Sequence, residues 1–134
     1  MRRDDMEACR IRGAGVLLPV SALPSPYGIG TLGNAAYRFI DQLHAAGQTY
    51  WQVLPIGPTG FGNSPYQSYS AFAGNPYFID LDRLAEQGLL TQNDILKFDW
   101  GENRSCISYD KIAEHRLQLL QTAYENSNHL YRSD

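Results

Sequence analysis

The chain has 134 residues, 43% of them hydrophobic and 19% charged, too apolar and too weakly charged for a disordered polymer. Eleven Lys and Arg against fourteen Asp and Glu leave a net charge of −3, which excludes the basic footprint of a nucleic-acid or anionic-membrane binder. The apolar run at 16–20 is far too short to span a bilayer, and MRRDDMEACRIRG lacks the apolar stretch of a secretory signal.

Charge is unevenly spread. Residues 13–79 hold only two charged side chains, Arg38 and Asp41, yet carry 17 of the 19 Gly and Pro residues and 11 of the 16 aromatics. Such a segment is either buried in something larger or shaped to meet an uncharged partner. Cys9 and Cys106 are too few and too far apart for a disulfide scaffold and fit reduced thiols in the cytoplasm.

In chain order, residues 1–12 read as a flexible lead-in. AGVLLPV at 14–20 reads as a strand buried on both faces. The Pro, Gly and Ser of 21–33 predict a loop. A helix follows over 32–46, with Ala36, Phe39, Ile40, Leu43 and Ala46 on one stripe and Gly47 as its stop. TYWQVLPI at 49–56 is a second buried strand, which completes a βαβ unit of an α/β sheet. Residues 57–75 form a long loop with four aromatics and no charge, and loops of that length are usually functional. A short strand or extended segment over 76–81 precedes a helix ending near Gly88 and a turn that Thr91 caps. The last helix spans 108–126, with Tyr109, Ile112, Ala113, Leu117, Leu120 and Tyr124 on one face. Two strands are too few to close a parallel sheet, so the pattern reads as the opening of a larger α/β domain.

Gly28-x-Gly30-x-x-Gly33 spells a dinucleotide fingerprint, but seven residues separate it from the strand and residues 42–79 offer no acid for a ribose. It reads as a flexible loop. Asp80 and Asp82 lie on one side of an extended segment, as a glycosidase carboxyl pair would. Capping is the better reading, with Asp82 directly before the helical RLAEQ. His44, His115 and His129 lack metal-ligand spacing. The 57–75 loop differs: Phe61, Tyr66, Tyr69 and Phe72 alternate with Asn63, Ser64, Gln67, Ser68, Ser70 and Asn75. Flat rings beside uncharged hydrogen-bonding groups suit a sugar. The loop also follows the carboxyl end of a parallel strand, where α/β folds place ligands.

GVLLPVSALPSPYGIGTLG followed by YWQVLPIGPTGFGNSPYQSYSAFAGNPYFIDLDRL resembles the amino-terminal region of the 4-α-glucanotransferases, the amylomaltases of glycoside hydrolase family 77. The resemblance runs over 12–90 and more weakly to Tyr124. It implies a (β/α)8 TIM barrel with inserted subdomains, here incomplete: 16–20 and 50–56 would be its first two strands, with a long active-site-side loop and C-terminal helices. It implies transfer of a segment of an α-1,4-glucan to the 4-hydroxyl of an acceptor, by a retaining mechanism with an aspartate nucleophile and a glutamate acid/base. Partners would be maltooligosaccharides, amylose or starch-type glucans, without nucleic acid or membrane, and the chemistry needs no cofactor and no metal. Tyr66 matches a tyrosine lining the sugar at the cleavage point, and Ser64 matches a residue hydrogen-bonding the glucan beside it. Gln67 belongs to the same stretch. Phe61 stands where many members carry a tyrosine at a more distant glucan groove, keeping the face and losing the hydroxyl. No carboxylate of residues 1–134 matches the catalytic positions. The chain is therefore expected to be the amino-terminal part of one catalytic domain, supplying glucan-binding wall and no covalent chemistry, and to fold poorly alone. A non-catalytic glucan-binding module is the alternative.

Overall fold

In the computed structural model, which describes residues 12–101 and 105–130 without the side chains of Phe61, His129 and Leu130, the chain contains the expected βαβ unit. Cys9 and the lead-in up to residue 11 lie outside the described residues. Strand β1, Gly15–Leu17, runs parallel to β2, Tyr50–Gln52, with Gly15 opposite Tyr50 and Leu17 opposite Gln52. Helix α1, Asn34–Ala45, makes the crossover that a parallel pair requires. It ends where Gly47, at φ +69°, donates to the His44 carbonyl and Gln48 donates to that of Leu43, as expected of a glycine stop.

Both strands are shorter than their apolar runs, and in this chain Leu17 is 55% exposed and Val16 and Tyr50 are exposed too, in keeping with a pair of strands read as the opening of a larger sheet. Among the described residues the sheet has two strands, so each keeps an open edge. α1 contributes buried Ala36 and half-buried Phe39, whose ring meets Trp51 edge-on at 5.1 Å. Ile40 and Ala46, at the margin of the expected stripe, stay exposed because this narrow sheet does not reach under them.

The segment at 76–81 is not a strand. Pro76–Phe78 form a 3-10 turn, because Asn75 Oδ1 accepts from the Tyr77 amide at 2.9 Å and Pro76 presets a helical φ. Helix α2, Leu81–Glu86, follows directly, and α3, Gln92–Leu96, starts on a reciprocal cap between Thr91 and Asp94. Helix α4 spans Tyr109–Leu130. Its buried face is Ile112, Arg116, Leu119 and Ala123, whereas Leu117 and Tyr124 of the expected face are exposed. The expected face was rotated because it left out Arg116, a charged residue that lies at the centre of the buried stripe. With Tyr27, Ile29, Leu81, Ile95 and Trp100 these residues form the larger core, where Trp100 Nε1 donates to the Ile95 carbonyl at 3.1 Å. No described helix is long and apolar enough to cross a membrane.

Candidate functional site

The 57–75 loop leaves the carboxyl end of β2 and is closed at its base by the Asn75 amide donating to the Ile56 carbonyl at 2.8 Å. Midway, Thr59 and Ser68 form an antiparallel bridge, and the Gly60 amide donates to the Gln67 carbonyl at 3.2 Å. A 3-10 turn, Phe61–Asn63, reverses the chain through Gly62 at φ +79° and Asn63 at φ +55°. Ser64 to Gln67 are the four residues of a β-turn: the Gln67 amide donates to the Ser64 carbonyl at 3.2 Å, with Pro65 at the second position. Ser64 Oγ accepts from the Tyr66 amide at 3.4 Å.

This turn decides where the expected site residues go. Tyr66, third in the turn, projects its ring into solvent and is 73% exposed. Ser64 is half-buried beside it, and Gln67 spends its backbone on the two loop bonds while its residue stays exposed. The loop thus brings Ser64, Tyr66 and Gln67 together. Phe61 opens the preceding 3-10 turn, and its side chain lies outside those described.

Beneath the loop is a cavity of about 150 Å³ that Leu54, Pro55, Thr59, Asn63, Pro65 and Asn75 help to line. Thr59 Oγ1 is buried without a hydrogen-bond partner there, a role that no motif marks. Ser21, Ile29 and Tyr109 border both this cavity and a larger one of about 770 Å³, whose described walls include Ser25, Gly28, Gly30, Cys106 and Ile107 and no charged residue.

The glycine motif and the acidic pair meet in one structural knot. A Cβ at Gly33, the N-terminal cap of α1, would fall 1.9 Å from Asp80 Oδ2, so a carboxylate already sits where a phosphate would approach that helix end. Asp80 also caps α2, Oδ1 accepting from the Arg83 amide at 3.1 Å, and accepts from Thr31 Oγ1 at 2.5 Å. Capping was the right reading, but the cap is Asp80. Asp82 lies inside the first turn and accepts from the Tyr27 hydroxyl at 2.5 Å. Burial first, then that bond and the two carboxylate charges, pushes the Tyr27 hydroxyl up to about 12. His115 Nδ1 lies 3.1 Å from the Asp99 carbonyl oxygen, with its ring against Phe98 and Trp100, so it is a satisfied packing residue. Among the described residues no three His, Cys, Asp or Glu converge as metal ligands.

The sequence pattern of glycoside hydrolase family 77, described as 4-alpha-glucanotransferase, matches residues 18–134. A 4-alpha-glucanotransferase of Clostridium butyricum is 53% identical over 109 residues, 81% of this chain and 22% of that protein. One from Thermus thermophilus is 59% identical over 83 residues, 62% of this chain and 17% of that protein. An amylomaltase from Streptococcus agalactiae, solved in complex with acarbose, superposes with a TM-score of 0.83 at 41% identity, over 86% of this chain and 23% of its own. The chain thus spans about 22% of the length of the first of these relatives. By the extent of the family match and the agreement in fold, the chain belongs to the 4-alpha-glucanotransferases of glycoside hydrolase family 77.

Proposed function

We propose that the protein is a 4-α-glucanotransferase, and that residues 57–75 form part of its glucan-binding wall. One observation carries this reading: an uncharged loop, anchored at the carboxyl end of β2, presents the exposed Tyr66 ring beside Ser64 and Gln67. The apolar face of a glucose ring stacks on Tyr66, and the Ser64 hydroxyl and Gln67 amide hydrogen-bond its rim. Phe61 offers a second apolar face at a more distant point of the glucan.

Family membership supports a (β/α)8 barrel in which β1 and β2 are the first two strands, within a single catalytic domain. It supports a retaining reaction. An aspartate attacks the anomeric carbon while a glutamate protonates the departing 4-oxygen, and the 4-hydroxyl of an acceptor glucan then displaces the aspartate and returns its proton to the glutamate. Residues 1–134 hold and orient the glucan in this scheme, and an apolar wall that excludes water favours the sugar acceptor over hydrolysis. Maltooligosaccharides, amylose and starch-type glucans are the substrates. The two widely spaced cysteines favour a reducing compartment, the cytoplasm.

The test is to incubate the protein expressed from its complete reading frame with maltotriose. Glucose together with oligomers longer than maltotriose is the expected product pattern. Glucose and maltose alone, or unchanged maltotriose, would overturn the reading.

A further inference from the structure

The loops that leave the carboxyl ends of β1 and β2 are both fastened to one short segment, residues 75–82. The 57–75 loop ends on it, with the Asn75 amide on the Ile56 carbonyl and the Asn75 side chain capping the turn at 76–78. The 21–33 loop is tied to it three times. Leu32 donates its amide to the Phe78 carbonyl at 3.0 Å, Thr31 Oγ1 donates to Asp80, and the Tyr27 hydroxyl donates to Asp82. Phe78 packs against both hydrophobic cores and lines the cavity of about 150 Å³ together with Ile29 of one loop and Thr59 of the other.

Arg116 fixes the segment itself. Ile79 and Asp80 are extended, at φ −66°, ψ 130° and φ −83°, ψ 124°, so they form a joint between the turn at 76–78 and α2. From α4, Arg116 Nη2 donates to the Ile79 carbonyl at this joint. The side chain is fully buried by this chain's own residues, and its Nε and Nη1 have no partner among the described residues. A desolvated guanidinium with one bond adds little net stability over an apolar side chain of similar volume. Its bond is directional, however, and a rigid planar donor selects one arrangement of the joint.

We infer that Arg116 is a positioning residue: by holding the Ile79 carbonyl it fixes residues 75–82, and through them it sets the 21–33 and 57–75 loops in one arrangement for glucan binding. The inference rests on the glucanotransferase reading and adds to it the contact that couples the binding loop to its neighbour.

Hydrogen exchange and acarbose affinity of the protein from its complete reading frame test it, in Arg116→Met, which keeps most of the volume and loses the bond. Exchange should quicken about 10-fold or more at the Leu32 and Asn75 amides together, as for one lost charge-assisted bond. The Leu18 amide, bonded to the Gln52 carbonyl beside the strand pair, should exchange as slowly as before. Acarbose should bind about 3- to 10-fold more weakly. Arg116→Lys keeps a charged donor and should return both readouts toward the unsubstituted values, a rescue that mere filling of space would not show. Quickened exchange at all three amides would make Arg116 a support of the whole fold. Quickened exchange in one loop alone, or in neither, would leave the loops uncoupled. Each of these results overturns the inference, as does unchanged acarbose affinity. If the unsubstituted protein neither binds acarbose nor transfers glucan, the glucanotransferase reading falls instead, and the exchange pattern still decides whether Arg116 couples the loops.

Discussion

Tyr27 donates its hydroxyl proton to Asp82 Oδ1 at 2.5 Å, joining the glycine-rich loop to α2 across 55 positions of sequence. Thr31 makes a parallel contact to Asp80 at 2.5 Å. Together they pin the loop that leaves the carboxyl side of β1, which borders both cavities. Glycines and acids that mimic catalytic motifs in the sequence are here spent on holding that loop.

The Tyr27 contact has an alkaline signature. Its hydroxyl is raised to about 12, so between the ordinary tyrosine value of 10.0 and 12 the folded state holds a proton that the unfolded chain has lost. Stability from this group is fully present below pH 10.0 and is lost as pH rises through that window. Tyr77, also raised chiefly by burial, acts in the same sense. Arg116, lowered to about 10, acts in the opposite sense over the same window, so the reading is a difference: above pH 10.0 the urea midpoint of Tyr27→Phe should fall less with pH than that of the unsubstituted protein from its complete reading frame. Identical slopes in the two proteins would contradict the assignment.

Arg116 predicts an inequality between two substitutions. It is fully buried; Nη2 donates to the Ile79 carbonyl, while Nε and Nη1 have no partner. Burial lowers it to about 10, partly offset by Asp80 and Tyr27, which leaves it charged at neutral pH. Arg116→Met gives up one charge-assisted bond of about 1.5–3 kcal/mol and relieves two buried donors of about 1–3 kcal/mol each. The result should lie near neutral or be slightly stabilising. Arg116→Ala removes volume as well and should cost about 2–5 kcal/mol. Denaturant unfolding of both variants decides it: equal losses would mean that the charge, and not the space it fills, supports the core.

The parts of this fold legible in the sequence are those decided within a few residues. Gly47 stops α1 and Thr91 caps α3 through neighbours close in the chain. Most of the differences depend on distant partners. Strand extent is set by the ladder, and the side chain of Leu17 stays exposed where nothing among the described residues packs over it. Arg116 on the inner face of α4 defeats any assignment made by polarity, since its bonding partner Ile79 lies 37 residues away. The turn at 76–78 differs from a strand for a local reason: Asn75 is a cap and Pro76 a first helical residue, although the apolar residues after them have the composition of a strand. The candidate loop was legible in its composition. The outward aim of the Tyr66 ring required the Ser64–Gln67 bond to be known.

Two glycines should fail for different reasons. Gly47 has a positive φ of +69° with nothing within 4 Å of its missing Cβ, so its penalty is conformational alone. Gly47→Ala should cost about 1 kcal/mol and Gly47→Asn less, because Asn tolerates the left-handed region. Gly33 has φ −109° and ψ −151°, ordinary extended backbone, but its Cβ would strike Asp80. Gly33→Ala should cost about 1–3 kcal/mol by overpacking, and markedly less in an Asp80→Ala background. Strict additivity of the Gly33 and Asp80 substitutions would remove the clash as the cause.

Tyr66 and Pro65 should separate contact from preorganisation. Tyr66→Ala removes the exposed face and should weaken maltooligosaccharide affinity by about 0.5–1.5 kcal/mol beyond area terms, whereas Tyr66→Phe keeps the face and most of the affinity. Pro65→Ala leaves every contacting group in place but frees the second position of the turn, so the unbound loop gains conformations that binding must then remove. Its loss, about 0.4–1 kcal/mol, should appear as unfavourable binding entropy in calorimetry with acarbose as the probe. Unchanged affinity in Tyr66→Ala would take the ring out of the site. An enthalpic loss in Pro65→Ala would mean that the turn reshapes the contact surface and does not merely hold it ready.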